Sequence, residues 1–342
     1  MRVECYSDPA SLRASAAHGS LLLFLNSQAE AGFFQAPDFM ELVVSVRGFA
    51  PVLFLAFDDD DRVAGSLLGV YQREGSGLKG FLSRRLLVHG GPLGDAAATG
   101  VLLAAVLAHA RDRAIFAEFR NTFDTTPLRP VFERHGFAFT EHLNMLLPIE
   151  GEAEAMKRLS TVRRRQIKSS LAAGATYGTA VNEAEVLEFY RILDMLYRTK
   201  VRKPLPGADL FLRLYHSAHA RIFVVRRDGR VIGGCAAPFF QDRTIHYWYV
   251  CGDNSDKEVH ASVLATWAPI EFAARAGIGL LDFMGAGKPG EAYGVRDFKA
   301  RFGAEEVAHG RYVKVLAPAL YRVSAAGLKA YQGMKALMHR ES

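Results

Sequence analysis

The segment LLDFMGAGKPGEAYGVRDFKARFG, residues 280–303, carries the residue types best suited to chemistry. An apolar, strand-like run meets an aspartate and a glycine-rich loop, then ends in Asp297-Phe298-Lys299-Ala300-Arg301-Phe302, a cation set between aromatics. A lysine fixed in this way can hold a phosphate or stabilise negative charge as it develops on an oxygen atom. Lys299 can also be an exposed helix residue paired with Asp297 or Glu305, and the residues by themselves leave both readings open.

Two further stretches concentrate positive charge. Lys157, Arg158, Arg163, Arg164, Arg165 and Lys168 place six cations in about a dozen residues. As one face of a helix they are either a solvated surface or a contact for nucleic-acid or nucleotide phosphates, which bind such a face in a salt-dependent way. Arg198, Lys200, Arg202 and Lys203 lie just before the Pro-marked loop KPLPG, and loops beside a cleft commonly carry ligand-binding groups. No aromatic interrupts residues 157–170, which favours phosphate steering over base stacking.

Other chemistries find little support. GAGKPG lacks the spacing of a phosphate-binding P-loop and has Pro289 where Ser or Thr is needed. There is no GxSxG or HExxH, the eleven histidines are scattered, and a lone one such as His246 or His135 reads as structural. GDNSDKEVH lacks the full calcium-loop pattern. The three cysteines, Cys5, Cys235 and Cys251, form neither a CxxC nor a metal-ligand spacing. No metal site is expected.

The elements that position these residues follow from length and repetition. A chain of 342 residues, half of them hydrophobic, suggests two domains of about 150 residues each. It has no charge-free apolar run of about 18 residues and no signal-like start, so a soluble cytoplasmic protein is expected. The formal net charge of +6 mildly favours anionic partners. VLFLAFDDDDRVAGSLLGVYQ, LLVHGGPLGD, GVLLAAVLAHARDRA and IFAEFR in the first half are matched in order by RIFVVRRDGRVIGGCAAPFFQ, HYWYVCGDN, SVLATWAPIEFAARAG and LLDFMG in the second. Each set reads as a hairpin, a strand, an amphipathic helix and a final strand. Val63–Gly65 and Val231–Gly233 are expected on equivalent strands. Two similar α/β units with mixed central sheets are expected over 1–148 and 149–342.

Four stretches, GFFQAPDFMEL, HLNMLLPI, STVRRRQIKSSLAAGA and LLDFMG…YGVRDFKARFG, span almost the whole chain and resemble the FemAB/FemX-like peptidoglycan-bridge aminoacyltransferases. The resemblance implies two tandem acyltransferase domains of the GNAT type, of the compact kind without the helical arm. It further implies transfer of an aminoacyl group from aminoacyl-tRNA, as co-substrate, to an amine of a nucleotide- or lipid-linked cell-wall precursor, with peripheral contact at the inner membrane surface. On its terms Lys299, flanked by Phe298 and Asp297, is the catalytic cation. Arg198, Arg202, Lys203, Tyr293, Arg296 and Arg301 bind substrate, and Arg163, Arg164, Arg165 and Lys168 meet RNA phosphate.

Neither HGGPLGDAAATG nor CGDNSDKEVHAS keeps the cation-then-glycine loop with which acetyl-CoA-dependent relatives cradle pyrophosphate at a helix N-terminus. An acyl-CoA-dependent N-acyltransferase is therefore the second expectation, and a non-catalytic nucleic-acid-binding module the third. Glu41 stands near the position of a basic phosphate contact in compact members of the family, so the identity of the acceptor stays open.

Overall fold

Alternating apolar residues broken by Asp/Gly turns give hairpins, and alanine-rich periodic runs give the helices that cover them. The computed structural model describes residues 1–253 and 255–324. It divides into two compact units: Met1–Thr140 with the chain from Gly310, and Glu141–His309.

The first sheet begins with β1 (Arg2–Tyr6), β2 (Phe49–Phe57) and β3 (Val63–Gln72), all antiparallel. β4 (Arg85–Gly90) continues antiparallel to β3, and β5 (Leu93–Gly94) pairs farther along the same strand. A central helix, Ala96–Ala110, then leads to β6 (Phe116–Asn121), which runs parallel to β4. The short β7 (Ala138–Thr140) closes this half of the chain.

The second sheet repeats the plan. It opens with β8 (Asn144–Pro148), to which the chain later returns, followed by β9 (Thr176–Thr179), β10 (Ala220–Arg227) and β11 (Arg230–Phe240). β12 (Thr244–His246) and β13 (Tyr249–Gly252) pair with successive parts of β11. The central helix Ala261–Ala276 then leads to β14 (Leu280–Gly285) and β15 (Glu305–Val307). Last, β16 (Arg311–Val315) enters the first sheet between β6 and β7.

The orders are therefore β1-β2-β3-β4-β6-β16-β7 and β9-β10-β11-β12-β14-β8-β15, with β5 on β3 and β13 on β11. They match strand for strand, and Val63–Gly65 and Val231–Gly233 open β3 and β11, the equivalent strands. The units differ from a simple cut at residue 148. β8 pairs with β14 and β15, so 141–148 belong to the second sheet, while β16 carries the chain back to the first. Tyr312 of β16 is fully buried and stacks on Phe132 at 3.9 Å. A strand so short is assigned to its unit by that burial, which no local pattern announces.

Glycine makes the repeat possible where each central helix begins. A Cβ on Gly65 would lie 2.8 Å from Ala98 Cβ, and one on Gly233 would lie 2.9 Å from Gly252 Cα. The first strand passes too close to its central helix, and the second too close to its neighbouring strand, for a side chain.

Candidate active site

The two sheets differ where β4 and β12 meet the strand after the helix. In the first unit the parallel pairing runs from Arg85↔Phe116 to Gly90↔Asn121. In the second it stops after Thr244↔Leu280, Ile245↔Leu281 and His246↔Asp282. Beyond that point β13 follows β11 alone, and β14 bulges between Asp282 and Gly285 in its pairing with β8. At the bulge Met284 adopts φ +61°, a left-handed conformation that a methionine takes only when its surroundings enforce it.

Lys299 is held at this bulge. The helix Gly294–Ala300 turns its lysine inward, 5% exposed, and Nζ donates to the carbonyls of Phe283 at 2.7 Å and Gly285 at 2.8 Å. Phe283 is buried while Met284 and Gly285 are half-buried, so the amine sits at the rim of the core. Burial pulls its pKa down to about 8, and the nearby Asp282 carboxylate opposes that fall. A partnership with Asp297 or Glu305 is not what holds it: Asp297 is exposed, and Glu305 lies 3.7 Å from Arg158.

Phe298 and Phe302 flank the lysine with ring centres 5.3 Å apart, and Phe302 is fully buried. Arg163 packs on them from the basic helix Thr161–Ala172, with its guanidinium 4.2 Å from the Phe298 ring centre. At 6% exposure, and donating to Gln166 at 2.7 Å, Arg163 is an inner residue and no part of an exposed phosphate-binding face. Burial lowers its pKa, as does the neighbouring Arg301. Arg164, Arg165 and Lys168 are exposed as expected. The helical period explains the division, because Arg163, Ile167 and Ser170 form the one buried stripe.

The other expected residues spread around the same unit. Tyr293 caps the lysine helix, is 38% exposed and packs over Gly287. Arg296 bonds the Glu291 carbonyl and lies 3.7 Å from Glu306; Arg301 is exposed. Arg198 extends from the wide turn Tyr197–Val201 and pairs with Asp194 at 2.8 Å. Arg202 follows in a left-handed conformation, and Lys203 is exposed. Tyr197 opens this turn. Burial, then the Tyr293 phenol beside it, push its hydroxyl up to about 12, and its ring lies 6.2 Å from that of Tyr249 on β13.

Sequence reasoning passed over Asp282 and His246. In the fold they face each other at the last parallel pair, both nearly inaccessible, with Nδ1 3.6 Å from Oδ2. The available signal is a carboxylate inside a strand otherwise made of Leu, Phe, Met and Gly. In the first unit GFFQAPDFMEL forms core, with Phe33, Phe34 and Gln35 buried. Glu41 there bonds Arg13 at 2.7 Å.

The first central helix has an acid at its N-terminus, whereas the second begins after His260. Asp95 accepts the Ala98 amide at 2.8 Å, beside a cavity of about 300 Å³ whose charged lining groups are Glu30, Asp95 and Asp124. Before the second helix, Asp256 and Glu258 both hold Arg227. A pyrophosphate at the first helix would meet carboxylates, while the acids before the second are already paired with a cation. Among the described residues no group of three or more His, Cys, Asp or Glu is placed to hold a metal, and no helix is long and apolar enough to cross a membrane.

Residues 156–300 match the model of a family described as an acetyltransferase (GNAT) domain. The chain is similar in fold to the crystal structure of FemX, with a TM-score of 0.69 at 14% identity, covering 94% of this chain and 99% of that one. The fold is the FemX-like tandem GNAT fold. A tandem GNAT protein from the clavulanic acid biosynthesis pathway is also similar (TM-score 0.58, 12% identity, 92% and 99% of the two chains). So is L-PGS from Bacillus licheniformis (TM-score 0.55, 14% identity, 93% and 96%). No curated protein matches at the level of sequence. In this FemX-like chain each GNAT-type unit is one of the two matching sheets with its central helix, and among the described residues the second unit alone has the early end of parallel pairing and the buried lysine.

Proposed function

We propose that the protein is an acyltransferase that moves an aminoacyl group from aminoacyl-tRNA to an amine of a peptidoglycan precursor or a related cell-envelope acceptor. The observation that carries this reading is Lys299, a buried cation held by two carbonyls at the end of a GNAT-type sheet. A protein rarely buries a lysine without use for its charge.

In the reaction the acceptor amine attacks the ester carbonyl, a C–N bond forms, the bond to the ribose oxygen breaks, and the amine's proton ends on that oxygen. Negative charge grows first on the carbonyl oxygen and then on the departing ribose oxygen. The two carbonyls use two N–H groups of Lys299, and the third faces the reacting oxygen. In a site shielded from water, one such preorganised donor contributes about 3 kcal/mol to the transition state. No protein nucleophile is needed. Arg164, Arg165 and Lys168 supply the phosphate-steering surface; Arg198, Arg202 and Lys203 hold the acceptor's anionic groups.

The acyl-CoA-dependent alternative is favoured by the description of the matching family as an acetyltransferase and opposed by the carboxylates at the N-terminus of the first central helix. Purified protein, given charged tRNAs and separately acetyl-CoA against a panel of amine-bearing envelope precursors, decides between them. Acceptor-dependent release of free tRNA is expected. Release of free CoA without tRNA turnover would establish the alternative.

A further inference from the structure

The lysine's setting depends on a residue that the reaction does not touch. Asp282 is 1% exposed, and its Oδ1 accepts the Met284 amide at 2.6 Å. Met284 is the left-handed residue of the bulge, and the carbonyls on either side of it, of Phe283 and Gly285, are the two that grip Lys299. One carboxylate oxygen thus straps the turn that aims both acceptors. The other lies 3.6 Å from Nδ1 of His246, on the strand alongside.

We propose that Asp282 is the positioning residue of this site, shaping the carbonyl pair that holds Lys299 and supplying the negative charge that keeps the lysine an ammonium, with His246 buttressing the carboxylate. The proposal rests on the reading of Lys299 as the acting cation.

Burial works against the ammonium, and Asp282 is the anion set against it. The remaining ionisable groups around the lysine do not share that task. Arg163 and Arg301 are cations, and Tyr247 is a buried phenol bonded to Thr266 at 2.7 Å. β8, which packs under the lysine helix, carries no titratable side chain between Asn144 and Pro148. On the helix itself Asp297 is exposed. With Asp282 neutral, only the two carbonyls remain to offset the lysine's desolvation.

The experiment is an NMR titration of the Lys299 side chain in full-length protein with 13C-labelled lysine, the resonance assigned with Lys299→Met. Asp282→Asn keeps an oxygen for the Met284 amide and removes the charge. The lysine is expected to titrate about one pH unit or more lower than in wild type, since an opposite charge within a few ångströms contributes shifts of that order. The alkaline limb of the transfer–pH profile should move to lower pH by the same amount. If Asp282→Asn does not fold, Asp282→Asn/Met284→Gly supplies the test, because glycine accepts the left-handed backbone without the strap. An unchanged or raised lysine titration in a folded variant overturns the proposal. Because the titration needs no substrate, a lysine that shifts as expected in a protein without transferase activity overturns the functional reading and leaves only the coupling of Asp282 to Lys299 standing.

Discussion

The guanidinium of Arg163 lies 4.2 Å from the centre of the Phe298 ring and 5.3 Å from that of Phe302, the aromatics on either side of Lys299. A residue from the densest basic run therefore braces the helix that carries the buried lysine. Its neighbours Arg164 and Arg165 face solvent.

Replacing Arg163 by alanine should accordingly act on stability. Loss of the stacked guanidinium and its packed stem is expected to cost about 1–2 kcal/mol, whereas Arg164→Ala and Arg165→Ala should stay within about 0.5 kcal/mol. Binding of tRNA should show the reverse. Each exposed arginine removed should reduce the salt slope by about one. Urea unfolding and salt-dependent tRNA binding of the three variants check this; equal effects from all three would show that the helix has no buried brace.

Lys299 gives a pH signature of opposite sign in activity and stability. The ammonium is present below pH 8, so transfer should fall as pH rises through about 8. Stability should rise over the same range. The folded-state pKa of about 8 lies below the unfolded value of about 10.4, so the unfolded chain binds more protons between the two and folding is favoured as they are lost. The rise amounts to about 3 kcal/mol. Urea unfolding at pH 7 and pH 10 should show it in wild type and not in Lys299→Met.

The returning strand makes a testable acid contact. Glu118 on β6 is half-buried, and its partial burial alone would raise its pKa, but Arg120 and then Arg311 of β16 outweigh this and hold it at about 2. A depressed carboxylate stabilises the fold above its unfolded pKa of about 4.3 and loses that contribution as pH falls towards 2. Arg311→Met should weaken this pH dependence and lower overall stability by about 1–3 kcal/mol. Acid titrations of stability measure both. An unchanged acid limb would show that β16 is not tied to β6 by this pair.

Of the fold, the sequence disclosed the duplication. Hairpin, strand, helix and strand recur because each half needs the same turn residues and the same glycine where a strand passes close to its neighbour. The places of β8 and β16 were not legible. Both are five-residue runs whose partners are distant in sequence, and burial against Leu281 or Phe132 decides them. Lys299 stood out by its aromatic flanks, whereas Asp282 and His246 did not. Their pairing exists only once β12 and β14 lie side by side, and nothing in either strand marks the bulge at Met284. The basic run misled for Arg163, since charge alone does not say which helical face turns inward.

The repeat also predicts parallel sensitivities. Gly65→Ala and Gly233→Ala should each destabilise by about 1–3 kcal/mol, because the added Cβ would lie within 3 Å of neighbouring atoms in both sheets. Gly19, inside the helix Ala17–Ser27 with nothing within 4 Å of such a Cβ, should instead gain about 0.5–1 kcal/mol on the same change. Thermal unfolding of the three variants checks the contrast. Tolerance at one strand glycine and not the other would break the equivalence of β3 and β11.

The most direct test of the central claim is steady-state transfer by Lys299→Met with charged tRNA and a responsive acceptor. Methionine keeps the stem and removes the charge, so turnover should fall about 100- to 1000-fold with little change in the apparent Michaelis constant for the donor. The variant's far-ultraviolet circular dichroism should stay that of wild type. Wild-type turnover from a folded Lys299→Met protein would contradict the account, leaving the buried lysine a structural group at the end of the sheet.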